Sequence, residues 1–112
     1  MFAKHPRVKN PKLLTQMKKE IGHCEYYGPD FNFECLEAAH IEAKGMGGGK
    51  GPDIRENIVI LSGPASFGKG AHGAHHRREI TNDELYVIAA RREGISVEEC
   101  KAKVKAAMGK TV

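Results

Sequence analysis

His40, Asn57 and a cluster of three histidines, His72, His75 and His76, are the residues of this 112-residue chain whose types and order could do chemistry. Hydrolysis of a phosphodiester needs a base to deprotonate water, positive charge on the developing phosphorane, and help for the departing 3′ oxygen. A histidine titrates near neutrality, so it is a natural water-activating base, provided a neighbouring carbonyl holds it in one tautomer. An asparagine on an adjacent strand is placed to position it. A divalent cation held by imidazole or carboxylate ligands would stabilise the leaving oxygen. Taken singly, the same residues have plainer readings. A histidine after an apolar run reads as a satisfied core side chain, an asparagine before a strand as a turn residue. A histidine cluster on a loop reads as a solvated one. The order of all three is what points to a metal-assisted phosphodiester-cleaving site.

The elements that must carry these residues follow from the pattern of apolar positions. Residues 1–10 hold Lys4, His5, Arg7 and Lys9 and read as a basic arm. Pro11 to Ile21 predicts a short amphipathic helix, with Leu13, Leu14, Met17 and Ile21 on one face and Gly22 ending it. Phe33 to Ile41 predicts a strand with Phe33, Cys35 and Ala39 on one side. Glu42 to Asp53 is a glycine-rich loop, and Ile54 to Leu61 the clearest strand, its Ile58-Val59-Ile60-Leu61 run buried on both faces. A second glycine-rich stretch, Gly63 to Gly73, leads to His75-His76-Arg77-Arg78-Glu79, expected on the first turns of a helix. Thr81 with Glu84 and Ser96 with Glu99 match capping boxes. They predict a helical hairpin over 81–109, with Leu85, Val87, Ile88, Val104 and Ala107 turned to the core. The fold class expected is α+β in a single domain, with a core motif over 33–80.

Bulk properties narrow the function. Lys and Arg number 18 against 14 Asp and Glu, a net charge of +4. Such mild basicity suits a polyanion such as nucleic acid. Three cysteines, Cys24, Cys35 and Cys100, form no C-x-x-C pair, so a disulfide framework is not expected; buried thiols in a reducing cytosol are. No apolar stretch reaches the roughly 18 residues of a membrane span, and no signal-peptide core is seen. The glycine loops match neither a P-loop nor a dinucleotide fingerprint.

Cys24 to Glu79 resembles the HNH endonuclease family, with its ββα-metal site. The resemblance rests on Leu36-Glu37-Ala38-Ala39-His40-Ile41, then Arg55-Glu56-Asn57-Ile58-Val59-Ile60-Leu61, then His75-His76-Arg77-Arg78-Glu79. It implies that His40 ends the first strand as the general base, and that Asn57 opens the second strand and orients that base and the connecting loop. His75 on the helix would bind the metal, Mg2+ or Mn2+, with Zn2+ or Ni2+ as other candidates. It also implies DNA as substrate and a phage or prophage setting. Cutting both strands would be easiest for a dimer.

Three departures from the family pattern shape the expectations. Ala39 stands where many members carry a metal ligand, which leaves Glu79 or His76 to complete the set. Glu79 would do so as the i+4 neighbour of His75, and His72 with His76 forms a competing pair. Cys24-Glu25-Tyr26-Tyr27 keeps only half of the first C-x-x-C pair, and Ala71-His72-Gly73-Ala74 has lost both thiols of the second, so no four-cysteine zinc is expected. The segment between Leu61 and His75 is longer than usual. Lys44, Lys50, Arg55, Lys69, Arg77 and Arg78 surround the proposed site and could contact phosphates. The alternative is a non-catalytic nucleic-acid-binding or zinc-binding module that keeps the fold without the chemistry, and Ala39 is the residue that favours it.

Overall fold

A computed structural model describes residues 9–29, 35–42, 51–63 and 70–108. It is α+β: a two-stranded antiparallel sheet with helices on both faces. Helix α1, Pro11–Ile21, starts where the Asn10 side chain accepts the Leu13 N–H, with Pro11 in the first turn, and ends at Gly22. Strand β1, Leu36–His40, pairs with β2, Ile58–Ser62, so that His40 lies opposite Ile58 and Ala39 opposite Val59. Helices α2, Gly70–His76, α3, Asn82–Glu93, and α4, Val97–Ala107, follow.

The sheet is a septum between two cores. On one face Ile58 and Ile60 meet Met17 of α1, with Leu13, Leu14, Ile21, Leu36 and Ala38 around them. On the other, Ala39, Ile41, Val59 and Leu61 meet Ala71 and Ala74 of α2, Leu85, Ala89 and Ala90 of α3, and Cys100 and Val104 of α4. All five residues of β2 are therefore buried, and its sequence runs apolar without the alternation of a half-exposed strand. The outer edge of β2 is closed by Glu25, whose N–H donates to the Ile60 carbonyl (2.8 Å) and whose carboxylate accepts the Ile60 N–H (2.9 Å). Arg92 of α3 donates to both oxygens of that carboxylate and to the carbonyls of Arg55 and Ile58. The strand edge is thus blocked against further pairing.

Several boundaries differ from the expected ones. Strand β2 begins at Ile58 rather than Ile54, because Arg55–Asn57 forms a 3-10 turn closed by the Asn57 N–H on the Ile54 carbonyl. Strand β1 is shorter than 33–41, and Phe33 lies outside the described residues. The histidines sit in the closing turns of α2, not the opening ones. The Ser62 hydroxyl accepts the Ala71 N–H (2.9 Å) and so starts the helix several residues before His75. Both hairpin caps form, Thr81 accepting from Glu84 N–H and Ser96 from Glu99 N–H. The inward stripe of α3 is Leu85, Tyr86, Ala89 and Ala90, which leaves Val87 43% exposed and Ile88 half-buried. Val104 is buried as expected, whereas Ala107 is half-buried. Cys24 and Cys100 are buried and Cys35 half-buried; all three are free thiols. Among the described residues no helix is long and apolar enough to cross a membrane.

Candidate active site

His40 is the last residue of β1 and its ring is 12% exposed. Nε2 lies 2.7 Å from Oδ1 of Asp53, a carboxylate only 4% exposed. The second oxygen, Oδ2, accepts the N–H of Asn10 at the head of α1 (2.8 Å). A carboxylate only accepts, so the neutral imidazole carries its proton on Nε2 and its lone pair on Nδ1. The ring is thus fixed in the tautomer that presents a base.

Asn57 is fully buried at the end of the 3-10 turn. Its Oδ1 accepts the Glu42 N–H (2.9 Å), and its Nδ2 donates to the carbonyls of Glu42 (3.2 Å) and Pro52 (3.0 Å). The carboxamide therefore ties together the two ends of the segment that joins β1 to the turn. Its side-chain bonds go to that loop; the His40 ring is held by Asp53, a division of labour the sequence did not suggest. Gly51 makes the knot feasible: a Cβ there would fall 1.7 Å from the Glu42 carbonyl oxygen and 2.9 Å from Asn57 Nδ2. Tyr86 completes the support by donating its hydroxyl to the Glu42 carboxylate (2.8 Å). Burial, together with that carboxylate, pushes the phenol well above its ordinary range.

A cavity of about 680 Å³ opens at this end of the sheet, lined by His40, Ile41, His75, His76, Arg78, Ile80, Thr81 and Asn82. His75 is held much as His40 is. Its Nε2 lies 2.8 Å from Oδ1 of Asn82, and a carbonyl oxygen accepts, so Nε2 carries the proton and Nδ1 the lone pair. Nδ1 is buried and has no hydrogen-bond partner among the described residues. A lone pair left without a partner, on a ring oriented from its far side, is the arrangement a metal-bound imidazole adopts. His76 is exposed on the same cavity, its ring centroid 6.3 Å from that of His75.

The remaining candidates separate. His72 is not part of this lining: its Nδ1 is 2.7 Å from Glu37 Oε1, and its ring meets His76 edge-on at 4.8 Å. Burial pushes His72 below the ordinary imidazole range, outweighing the pull of Glu37. Glu79 does not share a helical face with His75, because α2 ends at His76. It is 60% exposed, paired with Arg77 and absent from the cavity wall. Among the described residues no three His, Cys, Asp or Glu side chains come together as a metal cage.

Arg55 is engaged elsewhere as well. It donates to Glu20 (2.6 Å) and to both oxygens of Glu93 (2.9 and 3.1 Å), pinning α1 to α3. These carboxylates raise its pKa further, and it is a structural clasp in place of the expected phosphate contact. Burial pushes the Glu93 carboxyl up, but Arg55 and Arg92 outweigh it and hold it low. Arg77 is bridged to Glu79, while Arg78 lines the cavity. Lys44, Lys50 and Lys69 lie outside the described residues.

Two contributors escaped the sequence reading. Asp53 carries a weak signal, an acid four residues before Asn57 and just ahead of its turn. Asn82 carries none, since it follows an N-cap that already explains its place. No family model, curated protein or solved structure matches the chain.

Proposed function

We propose that this chain is a metal-dependent endonuclease of the HNH type, hydrolysing DNA phosphodiester bonds with His40 as the general base. One observation carries it: an Asp53-oriented His40 and a His75 with an unpartnered buried Nδ1 line the same cavity. Each histidine has its Nε2 anchored and a lone pair left on Nδ1, which suits His40 to accept a proton and His75 to donate to a metal.

Nδ1 of His40 takes a proton from a water molecule, and the water oxygen attacks phosphorus as the bond to the 3′ oxygen breaks. Asp53 holds the ring in place and stabilises the imidazolium that results. Asn57 acts at one remove, keeping Glu42 and Pro52 together so that the end of β1 and the segment bearing Asp53 stay in register. His75, with His76 on the same cavity, would hold a divalent cation, which would supply positive charge for the departing oxygen.

A non-catalytic nucleic-acid-binding or zinc-binding module is the second reading. It is favoured by Ala39, fully buried where a further ligand would stand. Incubation of supercoiled plasmid with the protein and Mg2+, Mn2+, Ni2+ or Zn2+, each against EDTA, separates the two. We expect nicked or linear DNA with at least one metal and none in EDTA. Intact plasmid under every metal, or cutting that persists in EDTA, refutes the metal-dependent nuclease.

A further inference from the structure

Arg78 has the one positive φ of a non-glycine residue among those described, +63°. The surrounding hydrogen bonds explain the conformation. Glu79 N–H reaches back to the Ala74 carbonyl (2.9 Å) and Arg78 N–H to that of His75 (3.0 Å), the pair that closes a helix in a Schellman motif with its left-handed residue at position 78. Helices α1 and α3 end on glycines in that conformation, Gly22 and Gly94. At the end of α2 an arginine stands where glycine is the easier choice. Backbone strain of this kind persists where the side chain has a task, and the place is telling: Arg78 is exposed and lines the cavity with His40, His75 and His76. Its neighbour Arg77 has the same charge but is committed to Glu79 and is not part of the lining.

We propose that Arg78 is the phosphate anchor of this cavity, held by its left-handed backbone so that the guanidinium meets a nucleic-acid phosphate beside His40 and His75. The proposal rests on reading the cavity as a nucleic-acid site. The planar guanidinium fork can give two parallel hydrogen bonds to one phosphate, which fixes the register of the backbone as well as binding it. Arg77 takes no such role.

The test is DNA binding in EDTA, where no cutting intervenes, followed by fluorescence anisotropy of a short labelled duplex over a range of salt. Wild type is compared with Arg78→Gly and Arg77→Ala. Both variants lose one positive charge, so a general field effect weakens both alike. Arg78→Gly also relieves the strain, and its thermal midpoint should be unchanged or higher, which removes misfolding as an explanation. We expect Arg78→Gly to lower affinity about ten-fold and to reduce the slope of log K against log salt by about 0.9, one phosphate contact. Arg77→Ala should leave the slope as in wild type. Equal slopes for wild type and Arg78→Gly, an equal loss in both variants, or no DNA binding by wild type overturns the proposal. If the anchor behaves as expected but no metal supports cleavage, the nuclease reading falls and the anchor stands.

Discussion

Replacing Asp53 by Asn tests the part of the site that depends on one proton. The carboxylate sits 4% exposed and accepts from His40 Nε2 at 2.7 Å on one oxygen and from the Asn10 N–H at 2.8 Å on the other. An amide has one oxygen and one NH2, so it cannot accept from both. If the oxygen stays on Asn10, the new NH2 faces His40 Nε2 and drives the ring's proton to Nδ1, the atom the reaction needs free. If the oxygen turns to His40, the NH2 meets the Asn10 N–H and a buried donor is left unsatisfied. The first arrangement lowers the cleavage rate by about 10²–10⁴-fold, the range that loss of the correct tautomer spans in other hydrolases. The second costs about 1–3 kcal/mol of stability. Single-turnover cleavage and urea unfolding of the same preparation separate them. A variant that keeps wild-type rate and wild-type stability refutes the argument, because then Asp53 neither orients His40 nor secures the head of α1.

Other consequences concern the supporting residues. Asn82→Ala removes the acceptor that fixes His75 while keeping a good helix former in the first turn of α3; Mn2+ or Ni2+ affinity by calorimetry should fall about 10–100-fold with little loss of helix content. Arg55→Ala should destabilise the fold by about 1–3 kcal/mol in a denaturant titration, since it removes the clasp on Glu20 and leaves Glu93 to Arg92, yet leave the salt dependence of DNA binding alone. For His72 the sign follows from its lowered pKa: as pH falls below about 6.5 the unfolded chain takes up a proton that the folded one resists, so stability declines there. His72→Gln should therefore lose less stability than wild type between about pH 7.5 and 5.5, and parallel curves would contradict this.

What the sequence makes legible is local. Pro11 and Gly22 bracket α1, and Thr81 and Ser96 mark the starts of α3 and α4, because a cap and the helix it starts are a few residues apart. The fully apolar run of β2 announces burial on both faces. What stays hidden depends on partners distant in the chain. Arg55 looks like a free cation until Glu20 and Glu93, 35 and 38 residues away, are brought to it. Asp53 is 13 residues from His40, across a loop whose ends Asn57 ties together. The start of α2 is set by the Ser62 hydroxyl reaching across a glycine-rich stretch with no periodicity to read. Val87 and Tyr86 exchange places because the inward stripe of α3 is set by its neighbours, and Tyr86 finds a polar partner in Glu42. Of the candidate site, His40, Asn57 and His75 were visible as residue types; the reason each is held as it is lies in Asp53, the Glu42–Pro52 knot and Asn82.

The central claim is that His40 is the base. The most direct measurement is single-turnover DNA cleavage by wild type and His40→Ala at the same saturating metal, with circular dichroism showing the same fold. We expect the variant to be slower by at least about 10²-fold at unchanged DNA affinity. A variant that cuts within about three-fold of wild type would place the base elsewhere and contradict the claim.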